Sequence, residues 1–399
     1  MNRPALGMFP SSEWSETVNS GLLSVAPKGL PHLFTQMCGS CAVEGAMKAA
    51  FMAYRARERG EAGVTDFTSE EVSYRSLGAE SSKPTFSPPQ MSSCMKNASP
   101  GSPELSVISF KSAFHGRLFG SLSLTRSKAV HKLDIPAFDW PACTFPLLKY
   151  PLADYVAENA ETEARALAEV EATIIAWKKT KPVAALIVEP VQSEGGDNHA
   201  SPQFFQALRT LTKEHGVFFI VDEVQTGVGA TGSFWAHDKW DLKHAPDFVT
   251  FSKKMQAAGF YHAAETRASA PYRNFNTWMG DPVRALQARE MISVINKNSL
   301  VENTADVGDY LYSALASLAT TSSGAPHIQN LRGKDSGTFI SFDCATPQDR
   351  DQFVAKMRGK GVNMGGCGER AVRLRPMLVF EKKHADMVME RMEEVVREL

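Results

Sequence analysis

Val217-Phe-Phe-Ile-Val-Asp-Glu-Val-Gln225, continued by Thr226-Gly227, decides the reading of the fold together with Phe248-Val-Thr-Phe-Ser-Lys253 downstream. Phe218 to Val221 is a short apolar run rich in aromatic and β-branched residues, which predicts a buried strand of a parallel sheet. The carboxylate pair Asp222-Glu223 ends it. Open α/β sheets bind their ligands at the carboxyl ends of strands, so an acid there is a candidate site residue. Phe248 to Phe251 predicts a second strand, and it ends on Ser252-Lys253. Two neighbouring strands would then deliver an acid and an amine to one sheet edge.

That pair is what pyridoxal phosphate requires. A lysine amine bonds the aldehyde, and a carboxylate facing the pyridine nitrogen keeps it protonated, so that the ring draws electrons from a substrate carbanion. A strand-end salt bridge beside a solvated lysine fits the same two runs, and the strand pattern alone leaves both readings open. The wider wording separates them. Asp222-Glu-Val-Gln-Thr-Gly227, Gly232-Ser-Phe-Trp-Ala-His237 and Thr250-Phe-Ser-Lys-Lys-Met255 together resemble the cofactor segment of the class III (ω-) aminotransferases. Glu189-Pro-Val-Gln-Ser-Glu-Gly-Gly-Asp-Asn-His199 and Phe275-Asn-Thr-Trp-Met-Gly-Asp-Pro282 narrow the resemblance to the eukaryotic 4-aminobutyrate aminotransferases. It runs over nearly the whole chain. It implies the α/β fold of the aspartate-aminotransferase type: a seven-stranded, mostly parallel large domain, expected over 1–295, and a small α+β domain over 296–399.

Composition sets outer bounds. The 399 residues can bury a large core, and a net charge of -1 gives no electrostatic reason to expect nucleic acid or an acidic membrane as partner. No apolar run reaches the roughly 18 residues that a bilayer span needs. The first residues, Met1-Asn-Arg-Pro-Ala-Leu6, read as neither signal peptide nor presequence. Six cysteines in so long a chain do not make a disulfide framework, so a reducing compartment, cytoplasm or mitochondrial matrix, is expected.

Further residues follow in chain order. A helical piece is expected over Trp14–Val25, and a better one over Glu44–Tyr54, just after Cys38-Gly-Ser-Cys41. A Gly-Ser turn at a helix N-terminus offers backbone donors to a phosphate, and the resemblance makes Gly39 and Ser40 the cofactor's phosphate loop. Cys38 and Cys41 by themselves are either two free thiols or half of a four-thiolate site. The resemblance to animal members implies a [2Fe-2S] cluster shared by two copies through this pair, although Ala42-Val43-Glu44 departs from their wording. The Ser/Pro-rich stretch 72–90 lacks periodicity and reads as a disordered surface loop.

Leu105 to Phe110 predicts a strand leading into Ala113-Phe-His-Gly-Arg117. An aromatic at a strand end can stack on a flat heterocycle, and a guanidinium fork suits a carboxylate, although a lone arginine reads first as a surface ion pair. By resemblance, Phe114 is the stacking residue and Arg117 grips the substrate carboxylate, with Lys128 nearby. A charged helix is expected over Glu158–Lys181, a strand over Val183–Val188, then a Gly-rich loop with Glu194. Helices are expected over Val283–Ile295, Leu300–Leu318, Gln348–Arg358 and Lys382–Leu399, and strands over Ser336–Asp343 and Ala371–Pro376. The resemblance makes Glu194 a gate that pairs with Arg373, with Arg375 as the alternative. His237, Cys94, Cys143, Cys344 and Cys367 read as packing or surface residues.

The implied reaction is 4-aminobutyrate plus 2-oxoglutarate giving succinate semialdehyde plus glutamate, in a homodimer. Lys253 would hold the cofactor and Asp222 its ring nitrogen. Val224 would pack the ring face opposite Phe114, Gln225 would reach the ring hydroxyl, and Thr277 would reach the phosphate from the second copy. After a strand, alternate residues face opposite sides, which favours Lys253 over Lys254. Two alternatives stay open: another ω-aminotransferase, acting on β-alanine, a methylated β-amino acid or ornithine, and a truncated, non-catalytic paralogue. Relatives carry a segment ahead of Asn2-Arg-Pro-Ala-Leu-Gly7, so a truncated product of low solubility and activity is the expectation here.

Overall fold

In the computed structural model, which describes residues 10–61, 93–268 and 271–399, the apolar runs form the centre of a seven-stranded sheet. Both the 72–90 stretch and the Asn2–Gly7 phrase lie outside the described residues. The strands are β1 (His32–Gln36), β2 (Ser106–Phe110), β3 (Ala142–Cys143), β4 (Val183–Val188), β5 (Phe218–Asp222), β6 (Phe248–Phe251) and β7 (Ala258–His262). Their order is β1-β7-β6-β5-β4-β2-β3. From β3 through β6 neighbours run parallel, while β7 is antiparallel to both β6 and β1.

Helices cover both faces of this sheet, which is why the central strands are apolar throughout instead of alternating. Residues of β2 and β4 are all buried. Leu186, Val188, Phe219, Val221, Val249 and Phe251 share one core with Phe204 and Leu208 of α5 (Pro202–Glu214) and Val170 of α4 (Val156–Trp177). On the other face, Ala185, Ile187, Ile220 and Phe248 meet Val43, Ala46 and Ala50 of α2 (Gly39–Glu61). Successive residues of one strand thus serve two cores, as the period of two demands. Beneath β6, Arg209 of α5 holds Asp247 by two bonds of 2.8 and 3.0 Å, and Asp247 also accepts from Phe219 N at 2.6 Å.

A second, antiparallel sheet lies toward the C-terminus. Its strands are β8 (Gln329–Arg332), β9 (Ile340–Asp343), β10 (Gly365–Cys367) and β11 (Ala371–Leu374), in the order β10-β11-β9-β8. Phe342, Val372 and Leu374 pack there with Leu311 and Leu315 of α7 (Leu300–Ala319), Phe353 of α8 (Pro347–Gly359) and Met392 of α9 (Lys382–Arg397). Between the two sheets α6 (Pro282–Lys297) leads into α7.

Several elements depart from expectation at their ends. The Trp14–Val25 helix breaks at Gly21 into α1 (Trp14–Ser20) and a 3-10 turn over Leu22–Val25. The strand expected over Ser336–Asp343 is only Ile340–Asp343. Before it, Gly337 takes φ +54° and packs its backbone onto Gly232 N, where a Cβ would lie 2.5 Å away. Helix α2 starts at Gly39, ahead of its apolar stretch, so the Gly-Ser turn is the helix's first turn.

Candidate active site

Parallel pairing of β5 with β6 sets Asp222 opposite Thr250, at the strand ends. Asp222 is 5% exposed and its carboxylate is held from three sides. Oδ1 accepts from Thr250 Oγ1 at 3.0 Å and from Val224 N at 3.1 Å, and Oδ2 accepts from His115 Nδ1 at 2.8 Å. His115 is the residue that sequence reasoning passed over. It follows Phe114 in the quoted phrase, but its partner Asp222 lies 107 residues away, so no local signal marked it.

Lys253 stands two residues beyond the end of β6, at φ +45° in a 3-10 turn over Lys253–Met255. Strand alternation therefore does not select between the two lysines, because the strand has already ended at Phe251. The cavity does. A space of about 200 Å³ is lined by Lys253, Asp222, Phe114, Val224, Gln225, Gly39 and Ser40, and Lys254 is not on its wall. Burial lowers the Lys253 pKa, against the pull of Asp222, Glu189 and Glu194. Burial also pushes Lys254 down to about 8, helped by the charges of Arg375 and Lys253.

This wall suits pyridoxal phosphate by its chemistry. Gly39 opens α2, and the first N–H groups of a helix have no acceptor within it, so an anion is welcome there. The seat is tight: a Cβ on Gly39 would come within 2.8 Å of Val224 Cγ1. Phe114 and Val224 offer flat or apolar surface, Asp222 an anion, and Lys253 an amine. Glu189, at the end of β4, also lines the space and accepts from Phe114 N at 2.8 Å and Ser193 N at 3.4 Å. Burial first, and then the Asp222 charge, raise its pKa well above the carboxylate range.

Around the cavity the other candidates sort themselves. Ser40 Oγ accepts from Arg117 N at 3.2 Å. The Arg117 guanidinium lies 5.7 Å from the Phe114 ring centre and 3.1 Å from His131 Nε2. Lys128 is exposed, beside the turn that carries His131. Glu194 Oε1 accepts from Arg373 Nη1 at 2.6 Å. Burial alone would raise the Glu194 pKa, but the Arg373 bond and charge outweigh it and hold the carboxyl low. Arg375 is committed elsewhere, to Asp197 at 2.5 Å and over the Phe339 ring at 3.2 Å. The loop 194–197 is gripped from the second sheet: Gly368 N donates to Glu194 O, and Arg332 donates to the carbonyls of Gly196 and Asp197. Thr277 lies on an exposed turn, off the cavity wall.

Cys38 and Cys41 place their sulfurs 3.6 Å apart. Burial, followed by the Cys38 neighbour, raises the Cys41 thiol pKa. Among the described residues no group of three or more His, Cys, Asp or Glu side chains could hold a metal ion. Cys143, Cys344 and Cys367 are buried, and His237 caps Glu223 with its backbone N at 2.9 Å and Nδ1 at 2.8 Å. Among the described residues no helix is long and apolar enough to cross a membrane.

Comparison with known proteins points the same way as the geometry. The family model "Aminotransferase class-III" matches residues 1–396. A 4-aminobutyrate aminotransferase of Mycosarcoma maydis is 59% identical over 403 residues, covering 100% of this chain and 75% of the relative. A human 4-aminobutyrate aminotransferase, described as mitochondrial, is 46% identical over 388 residues, covering 97% of this chain and 72% of that protein. Among solved structures, a lysine aminotransferase from M. tuberculosis superposes with a TM-score of 0.81 at 29% identity, covering 99% of this chain and 81% of the other. With an acid and an amine at adjacent strand ends beside a helix N-terminus, the chain belongs to the class III aminotransferases, which are pyridoxal-phosphate-dependent transaminases.

Proposed function

We propose that the chain transfers the amino group of 4-aminobutyrate to 2-oxoglutarate by ping-pong exchange, giving succinate semialdehyde and glutamate. The observation that carries this reading is the Glu194–Arg373 pair, closed at 2.6 Å near the cavity that holds Lys253. Relatives bearing the 4-aminobutyrate aminotransferase name support it. When bound, pyridoxal phosphate supplies the aldehyde that takes up the amino group and a ring that spreads negative charge from the substrate carbon. The chain's own residues do the rest. Lys253 moves the proton at that carbon, and Asp222, fixed by Thr250, Val224 and His115, keeps a negative charge opposite the ring nitrogen. Phe114 and Val224 bound the ring's faces, Gln225 reaches its hydroxyl, and Gly39 with Ser40 seats the phosphate. Thr277, from the second copy of a homodimer, completes that seat.

Two carboxylate patterns must fit one site. Arg117 grips the carboxylate of 4-aminobutyrate while Glu194 occupies Arg373. With glutamate or 2-oxoglutarate, Glu194 swings aside and Arg373 takes the second carboxylate. Arg373 is half-buried, and leaving such a cation without a partner carries a desolvation cost that a switchable acid avoids. In Glu194→Ala, single-turnover rates should fall far more with 4-aminobutyrate than with glutamate; equal losses sink the gate. Activity with β-alanine or ornithine above that with 4-aminobutyrate would overturn the substrate assignment.

A second reading concerns Cys38 and Cys41. Their 3.6 Å separation suits two thiolates on one tetrahedral metal, so two copies could bridge a [2Fe-2S] cluster. Iron and acid-labile sulfide analysis of protein purified without oxygen decides it. For the compartment we take the cytoplasm or the mitochondrial matrix, where thiols stay reduced; fractionation of tagged protein distinguishes them.

A further inference from the structure

Resting on the reading of Arg117 as the carboxylate-binding group, we propose that His131 is the positioning residue of the substrate arm, fixing the Arg117 guanidinium and the Phe114 ring in one arrangement. Three contacts meet on this imidazole. Its Nε2 lies 3.1 Å from Arg117 Nη2. Its ring stands edge-on to Phe114, with centroids 5.6 Å apart and planes at 81°. Its Nδ1 lies 3.5 Å from Ser127 Oγ. Arg117 in turn sits 5.7 Å from the Phe114 ring centre, so imidazole, guanidinium and phenyl close a triangle.

The direction of the proton follows. A guanidinium only donates, so Nε2 must accept, and the imidazole must be neutral with its proton on Nδ1. The surroundings favour that form. Burial lowers the His131 pKa first, then the charges of Arg117 and Lys128, with Glu194 opposing. A protonated imidazole would set two cations face to face and release the guanidinium.

The arm needs such a hold. Arg117 is exposed, and its backbone is tied down by Ser40 while its long side chain has several rotamers to choose among. The distance from guanidinium to Lys253 sets which amino-acid length fits, so whatever restricts the rotamer restricts the substrate. His131 comes from a separate 3-10 turn, Ala129–His131, and braces the arm from outside the strand-end loop that carries it.

The test uses the cofactor-loaded enzyme and two variants. His131→Phe keeps the ring edge against Phe114 and removes the acceptor, and His131→Gln restores an acceptor without the ring. Pentanoate, which has the carboxylate and no amine, is titrated against the cofactor's absorbance, a reading independent of turnover. In His131→Phe, the pentanoate dissociation constant and the KM for 4-aminobutyrate should each rise about tenfold, the scale of one lost hydrogen bond to a charged group, with kcat within twofold. His131→Gln should recover most of the loss. In the parent enzyme pentanoate binding should weaken as pH falls below the usual imidazole range, and this drop should vanish in His131→Phe. Pentanoate affinity within twofold of the parent in both variants overturns the proposal. Arg117→Gln separates the two failures: if it too leaves pentanoate binding unchanged, the reading of Arg117 is what has failed.

Discussion

In the proposed role of Asp222 opposite the ring nitrogen, the donors Thr250, Val224 and His115 fix its carboxyl group in place. His115 is one of them, at 2.8 Å and 2% exposure. Replacing it by Phe deprives a buried anion of a charge-assisted donor, worth about 1.5–3 kcal/mol. We expect kcat/KM to fall roughly tenfold to a hundredfold, and the ring-protonated absorbance band to titrate at lower pH. An unchanged band would leave His115 a packing residue only. The neighbouring lysines give a second expectation. Lys253→Ala should abolish borohydride-trapped cofactor, and Lys254→Ala should retain it, because only Lys253 lines the cavity; peptide mapping of the trapped cofactor reads this directly.

At the scale of elements, the turn from β1 into α2 is a tight part of the site. Gly39→Ala would press a methyl against Val224 Cγ1 at 2.8 Å, an overpacking worth about 1–3 kcal/mol. The expected outcome is cofactor affinity lowered roughly tenfold or more, read by equilibrium dialysis, together with a lower melting temperature of the cofactor-free protein, because the clash with Val224 is present whether or not the cofactor is bound. Elements of this kind were legible in the sequence to different degrees. β4, β5 and β6 were plain, because strands covered on both faces must be apolar throughout, and their terminal acid and amine stood out against that background. β1 and β7, at the sheet's antiparallel end, carry no such run and were missed. Ser336–Ile340 alternates like a strand, yet the close approach of Gly337 to the 230–232 loop bends its start away, a tertiary effect that no local pattern encodes. Likewise nothing adjacent to His115 in the chain announces Asp222, which lies 107 residues away.

Over the whole molecule, the junction between the two sheets holds a histidine that makes stability depend on pH. His199 is held down to about 3, by burial first and then by Arg332 and Arg375. The unfolded chain therefore binds a proton that the folded one refuses, from about pH 6.5 down to about 3. Stability from this group is full above that window and is lost as pH falls through it, by on the order of 1 kcal/mol per pH unit. A His199→Gln variant should lose less stability than the parent between pH 7 and pH 5, as urea midpoints will show. Parallel losses in both proteins would place the acid sensitivity elsewhere.

The same junction has a mechanical meaning. Although loop 194–197 follows a strand of the large sheet, its bonds to Gly368, Arg332, Arg373 and Arg375 fasten it to the small one. A rotation of the small sheet would carry the loop along as cargo, so the proposed gate at Glu194 and the angle between the sheets would move as one lever. Substitutions far out on that sheet could then retune which amino donor is accepted without touching the reacting atoms.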